Sequence, residues 1–295
     1  MSESVVQVKI VIRFSYPSIG GFATAAMNRR DMLAQLYDPD RLERRFALFE
    51  TLTLPSLQAQ NDVDFQTCIL IGEDLPDPYF DRLRHGVRDL RGCRILVMPP
   101  RDHYRAVTKG FGYLPNREAA THTATVRMDD DDAIHADTVG RIRKVSERML
   151  EIRDPASPFV VGFNRGYFLE LSQDAAQLSE VFETTPLGIG LALVAPVGDK
   201  VNIYRRNHRK LPRFFDCYTE LARPMFIRTV HQDNDSGAYA SGGRHDVPRR
   251  DVDDLLRSEF GVDPSLLDQL GRAENVAKFP RGAAHDGQYG GLHLQ

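Results

Sequence analysis

Thr125-Val126-Arg127-Met128-Asp129-Asp130-Asp131-Asp132-Ala133-Ile134 is the stretch on which the reading of this chain turns. Its first residues continue a short run from Thr123 with the β-branched, apolar composition of a strand inside a sheet. That strand leads without a linker into four consecutive aspartates. Adjacent carboxylates repel one another and raise each other's pKa unless cations sit among them. A divalent ion is the simplest such cation, and hard oxygen ligands suit Mn2+ or Mg2+. A solvated acidic turn is the plainer alternative. Position favours the ion, because ligands of open α/β sheets bind at the carboxyl ends of strands. Arg127, within the strand, needs an anionic partner of its own, either a neighbouring acid or a phosphate.

Upstream, Val5 to Phe14 reads as a buried central strand. Asp38-Pro39 opens a helix, with Asp as N-cap and Pro in the first turn. Leu42, Phe46 and Phe49 mark its buried stripe, and Pro55 is expected to end it. Thr67 to Gly72 is a second strand, a helix is expected from about Pro78 to Leu90, and Arg94 to Met98 is a third strand. Arg117 to His122 is expected in or near a further helix. Downstream, Asp137 caps a helix with the face Val139, Ile142, Val145, Met149 and Ile152. Alternating strands and helices imply an α/β fold, a mixed and mostly parallel sheet flanked by helices. Further on, Phe159 to Phe163 and Tyr167 to Leu169 flank a hairpin-like turn at Asn164-Arg165-Gly166. Gly190 to Ala195 and Val201 to Tyr204 read as two more strands. An amphipathic stretch around Val252 to Phe260 and a loose Gly- and His-containing end form a small, partly helical C-terminal extension.

Composition narrows the classes. The chain has 295 residues, 42% of them hydrophobic, enough for one large α/β domain or a domain with an appendage. A formal charge of −3 gives no basic excess for nucleic acid. The local run Arg205-Arg206-Asn207-His208-Arg209-Lys210 reads as a solvated face, with an anionic substrate or membrane surface as the sharper reading. Cys68, Cys93 and Cys217 form no CxxC pair, which fits a reducing compartment. The start lacks the pattern of a signal peptide, and no apolar stretch is long enough to span a membrane. The expectation is a cytoplasmic protein, with peripheral contact at the inner face of the membrane left open.

Competing motifs fail on spacing. Ala133 and Ile134 stand where an EF-hand loop needs an oxygen ligand and a glycine. There is no GxxxxGK[ST], no GxSxG, and no GxGxxG after the first strand; Gly188-Ile189-Gly190 lacks the third glycine.

The segment Thr125 to Ile134 resembles the strand-plus-DxD signature of GT-A glycosyltransferases. Leu54-Pro55-Ser56-Leu57-Gln58-Ala59-Gln60, Asp64-Phe65, Ile69-Leu70-Ile71-Gly72-Glu73-Asp74 and Ile227-Arg228-Thr229-Val230-His231-Gln232-Asp233-Asn234-Asp235-Ser236 are similar to a bacterial rhamnosyltransferase family. The resemblance spans about residues 8 to 243 and implies a Rossmann-like GT-A domain over 1–243. Its nucleotide-sugar half would cover about 1–135, its acceptor half 136–243, and the extension 244–295. It also implies a metal-dependent transfer of a sugar, with rhamnose as one reading, from a dTDP-, UDP- or GDP-sugar to a glycan or other hydroxyl acceptor. Arg13, Glu73 and Asp74 would lie near base and ribose. Asn116-Arg117 resembles the Arg-Asn pair that often precedes the DxD strand, in reversed order, which places Arg117 with Arg127, Asp129 and Asp130 among the nucleotide-sugar contacts. Asp129 and Asp131 match the two motif carboxylates, although Asp130 and Asp132 satisfy the same spacing. The metal ligands are then Asp129, Asp131, Asp132 and a late histidine, His231.

An inverting transfer needs a carboxylate to take the acceptor proton. Asp216, Asp235 and Asp199 are the alternatives for this base. The rival readings are a sugar nucleotidyltransferase, and a non-catalytic glycan-binding protein on the same scaffold. Against the first, Ser15 to Gly21 contains no lysine or arginine. Against the second, the acidic run is intact.

Overall fold

Val6, Val8, Ile10, Val11 and Ile12 put apolar side chains on both faces of one strand, which is stable only with cover on both sides. The computed structural model describes residues 4–19, 27–172, 176–231 and 242–273, and supplies that cover. In chain order the elements are β1 (Val6–Arg13), β2 (Ser18–Ile19), α1 (Arg29–Leu36), α2 (Pro39–Leu48), α3 (Leu54–Gln58), β3 (Phe65–Gly72), α4 (Asp77–Gly86), β4 (Cys93–Met98), β5 (Arg101–Asp102), α5 (His103–Tyr113), β6 (His122–Arg127) and β7 (Ala133–Ile134). There follow α6 (Thr138–Ile152), β8 (Phe159–Phe163), β9 (Arg165–Leu171), β10 (Ala176–Phe182), β11 (Leu191–Pro196), β12 (Asp216–Glu220), β13 (Phe226–Val230), β14 (Arg244–Asp246), α7 (Asp253–Phe260) and α8 (Pro264–Ala273).

The large sheet has the order β12-β8-β11-β6-β1-β3-β4. Only β11 runs against its neighbours, so the sheet is mixed and mostly parallel, as the strand–helix alternation implies. On one face Ile10 and Ile12 share a core with Leu42 and Phe46 of α2, Leu83 of α4, and Val139 and Ile142 of α6. On the other, Val11 and Cys68 pack with Val107 and Phe111 of α5 and with Ile203 and Leu211. Phe14 at the end of β1 meets Phe46 and Phe49, with ring centroids 4.6 and 5.3 Å away. Cutting a ring such as Phe46 back to Ala would cost about 3–5 kcal/mol.

A second sheet, β14-β10-β9-β13-β7, sits where β7 leaves the acidic turn. β13 runs antiparallel to β7, with Ile227 opposite Ala133, so its next residues lie alongside the aspartates. Val252, Leu256, Phe260, Val262 and Leu267 around α7 and α8 share a core with Leu48, Leu52, Tyr167 and Leu169. The helical extension is therefore packed onto the second sheet. Among the described residues no helix is long and apolar enough to cross a membrane.

Several local expectations are corrected. Pro55 does not end the helix begun at Pro39: residues Phe49–Thr53 widen into a π turn, and Pro55 falls in the first turn of α3, where its missing N–H costs nothing. The helix expected near Arg117 lies earlier, as α5. Asn164 is a crossover between the two sheets rather than a hairpin, because β8 belongs to one and β9 to the other. Val201 to Tyr204 is no strand; Ile203–Arg205 is a 3-10 turn. Ile152 is exposed at the last residue of α6 rather than on its buried face. The Gly287 to Gln295 end lies outside the described residues.

Candidate active site at the carboxyl edge of the sheet

Parallel pairing brings the ends of β1, β3 and β6 to one edge, with Val11 level with Arg127 and Arg13 level with Leu70. Arg13, Glu73, Asp74 and the acidic turn are therefore neighbours although up to about 120 residues separate them in sequence. Glu73 and Asp74 both meet Arg29 of α1, at 3.2 and 2.9 Å. A cavity of about 340 Å³ opens beside Arg29, lined by Ser18, Ile19, Met32, Pro99 and Pro100.

The four aspartates point in different directions. Asp129, at the mouth, is partly exposed, with Arg13 Nη2 and Arg127 Nη2 each 3.7 Å from one of its oxygens. Asp130 turns inward to Arg45 of α2 and accepts from the Ser15 N–H at 3.4 Å. Ser15 reaches that position with a φ of +43°, a left-handed conformation uncommon outside glycine. Asp131 Oδ2 lies 2.8 Å from Arg45 Nη1 and 3.0 Å from His231 Nε2. Asp132 Oδ1 accepts from the Thr229 N–H at 3.1 Å. The turn's backbone is pinned as well: Thr53 Oγ1, from the π turn, donates to Asp132 O, and Thr229 Oγ1 donates to Asp131 O, both at 2.8 Å. β13 thus delivers Thr229 and His231 to the aspartates a hundred residues earlier.

Burial works against ionisation of Asp131, but the Arg45 guanidinium and His231 outweigh it and hold the carboxyl below the usual range. At Asp132, burial and the charges of Asp131 and Asp129 outweigh Arg228 and the Thr229 N–H and push the carboxyl well above that range. Around Asp129 the environment is cationic. Burial, then Arg13 and Arg127, lowers His103 to about 3; burial, then Arg127, Arg209 and Arg228, does the same for His208. Both imidazoles are thus held toward their neutral form beside the guanidiniums. Arg127 stacks on Tyr204, 5.3 Å from the ring centroid. Gly188 makes room for it: a Cβ there would stand 2.7 Å from Arg127 Nε.

The structure thus brings together Arg13, Glu73, Asp74, Arg127, Asp129, Asp130, Asp131, Asp132 and His231. It leaves three expected residues elsewhere. Arg117 lies at the amino edge, where its N–H donates to Gln7 and its guanidinium pairs with Asp64. Asp199 follows β11, whose antiparallel course ends opposite His122, so it too is at the amino edge. Asp216 opens β12 opposite Phe159, at that same edge, exposed and 2.7 Å from Arg153. Neither Asp199 nor Asp216 is placed to serve a reaction at the acidic turn. Asp235 lies outside the described residues.

Arg45 was not singled out from sequence. Its signal was a cation on the buried stripe of α2, three residues after Leu42 and four before Phe49. It also alters the first argument about the aspartates, because much of the charge on Asp130 and Asp131 is balanced by a guanidinium. Among the described residues no three His, Cys, Asp or Glu side chains converge as a metal cluster. Asp131 and His231 are a pair, and two ligands of one ion, each about 2.1 Å from it, stand about 3 Å apart when their bonds meet near a right angle.

The family described as "Putative rhamnosyl transferase" matches residues 7–243, most of the chain. No curated protein matches the sequence. Among solved structures, Staphylococcus aureus TarS 1–349 in complex with UDP-GlcNAc is similar over 91% of this chain and 71% of that one, at 9% identity and a TM-score of 0.43. A "putative nucleotide-diphospho-sugar transferase" from Desulfovibrio desulfuricans G20 is similar over 92% and 98%, at 9% identity and a TM-score of 0.38.

Proposed function

The chain belongs to this family of rhamnosyl transferases, and from that premise we propose that it moves a sugar, rhamnose being the first to test, from a nucleotide diphosphate to a hydroxyl acceptor, with Mn2+ or Mg2+ at the acidic turn. The observation that carries the reading is that one acidic turn at the carboxyl edge of β1 and β6 holds two charged groupings, the Asp131–His231 pair and Asp129 between Arg13 and Arg127. Asp131 and His231 would hold the ion, and diphosphate oxygens would complete its shell. Such an ion supplies neutralisation of the charge that gathers on the departing diphosphate.

The chain's own residues do the rest. Arg13 and Arg127 set two guanidinium groups beside Asp129, each 3.7 Å from one of its oxygens, where they would meet a phosphate. Glu73 and Asp74 pair with Arg29, which lines the cavity, and carboxylates there suit the hydroxyls of a ribose. Arg45 keeps Asp131 ionised and aimed, so no reorganisation is needed when the donor arrives. The acceptor's proton requires a base; of the three aspartates expected for this role, Asp235 alone is not removed by its position.

A thermal-shift panel of dTDP-, UDP- and GDP-sugars, each with Mn2+ and with chelator, tests the reading. A ligand bound by the native state raises the melting temperature. Stabilisation by one nucleotide class, dependent on Mn2+, is expected. Equal shifts in Mn2+ and chelator would remove the ion; no shift with any donor would remove the transferase reading.

A further inference from the structure

Residues 201–215 contain five cations, Arg205, Arg206, Arg209, Lys210 and Arg213, and no carboxylate. The segment lies over the face of the large sheet that α5 also covers. Ile203, Tyr204 and Leu211 point into that core, and the charges point out. Arg209 is held by Glu183 at 3.0 Å. Arg205, Arg206, Lys210 and Arg213 are exposed, and among the described residues none is paired with an acid. Exposed arginines without a carboxylate partner occur elsewhere among the described residues, Arg30, Arg91, Arg94, Arg101 and Arg105 being examples, but here four such cations fall between residues 205 and 213. Most of the molecule's other surface arginines have a carboxylate partner, among them Arg29, Arg82, Arg84, Arg88, Arg148, Arg223 and Arg244. The chain as a whole is acidic, so these four cations are a local excess and not part of a general one.

An aromatic ring sits among them. Phe214 is 50% exposed, with the Arg206 guanidinium 4.4 Å from its centroid. Arg205 stacks on Tyr104 of α5 at 5.4 Å. A soluble polyanion would reward the charges alone. The headgroup layer of an anionic bilayer rewards both, since it attracts Lys and Arg and accepts amphipathic or aromatic rings at its boundary.

We propose that this strap, Arg205, Arg206, Lys210, Arg213 and Phe214 with Tyr104 beside it, is a docking surface for an anionic lipid bilayer. The proposal is independent of the sugar chemistry above. His208 and Arg209 tie the inner side of the strap to Arg127 and Glu183, so docking would bring the carboxyl edge of the sheet close to the membrane surface.

The test is flotation of the full chain with phosphatidylcholine vesicles, with and without phosphatidylglycerol. Binding only to the anionic vesicles, weakened by salt, is expected. Replacing Arg205, Arg206, Lys210 and Arg213 together by Ser should lower the partition coefficient by on the order of a thousandfold. Phe214→Ser should lower it roughly tenfold. Arg84→Ser with Arg88→Ser, which removes paired surface cations, should leave it unchanged. Unaltered thermal unfolding of each variant confirms that the fold is kept. Absence of preference for the anionic vesicles, or binding unaffected by the fourfold replacement, overturns the proposal. Binding undiminished in Phe214→Ser marks attraction by charge alone and also overturns it. Capture by soluble polyphosphate with no vesicle binding would assign the strap to an anionic polymer instead.

Discussion

The two ends of the large sheet use charge differently. At the amino edge, Gln7 donates to Asn116 and Thr123 at 3.0 and 2.7 Å, and Lys9 Nζ donates to Leu114 O and Asn116 at 2.8 and 2.7 Å. Arg143 meets Asp62 at 2.9 Å, and Arg117 pairs with Asp64. Each of these donors is matched to an acceptor. At the carboxyl edge, four carboxylates crowd one turn; two are clamped by Arg45, one is pushed toward its protonated form, and one sits between two arginines at 3.7 Å. The first edge is a completed polar network that closes the sheet. The second gathers charges of both signs in one turn, the setting for a charged ligand.

The sharpest way to break this contrast is Arg45→Met. It strands two buried carboxylates, and a loss of about 3–5 kcal/mol is expected in denaturant unfolding. Adding Asp130→Asn should recover part of it. A loss under about 1 kcal/mol would show that the turn is neutralised by something other than Arg45.

Asp131→Asn should be smaller in stability and larger in function. Arg45 keeps Asp130 as a partner, so unfolding should shift by about 1–3 kcal/mol. Sugar transfer should fall by a factor on the order of 100 or more. Full activity in chelator, in wild type or variant, would place the aspartates on the structural side of the comparison.

Lys9 tests the amino edge through pH. Burial lowers its ammonium from 10.5 to about 8 in the fold. Between these values the unfolded chain binds the extra proton, so stability should rise with pH from about 8 to 10.5, with a slope of at most about 1.4 kcal/mol per unit. Lys9→Met should flatten that slope in urea titrations across the window. An unchanged slope would mean that the lysine carries no linked proton.

The smallest effect is expected for Arg117→Ala, which removes a surface ion pair and should cost at most about 1 kcal/mol. Calorimetry with the stabilising nucleotide sugar should find its affinity unchanged, whereas Arg127→Ala should weaken it. A matching loss in both variants would return Arg117 to the nucleotide site.

Much of this was legible locally. Periodicity located β1, β3, β6, α2 and α6, because an apolar run or a helical stripe is a property of neighbouring residues. The Asp129 to Asp132 run was visible for the same reason. The Asn164 crossover was not, since a turn between two strands does not say which sheet each strand joins. Nor was the start of α3, where Pro55 depends on a π turn to accommodate it.

By itself, then, the sequence determined that a mixed α/β sheet would present a dense acidic turn at a strand end, and family membership over residues 7–243 agrees with that reading. Only the tertiary structure decided which residues share the turn. Arg45 arrives from α2 and His231 from β13, and both contacts follow from packing and strand register rather than from spacing along the chain. The same register carries Arg117, Asp199 and Asp216 to the opposite edge. Residue type states what chemistry a side chain can do; which end of a strand it occupies depends on the direction in which that strand is paired.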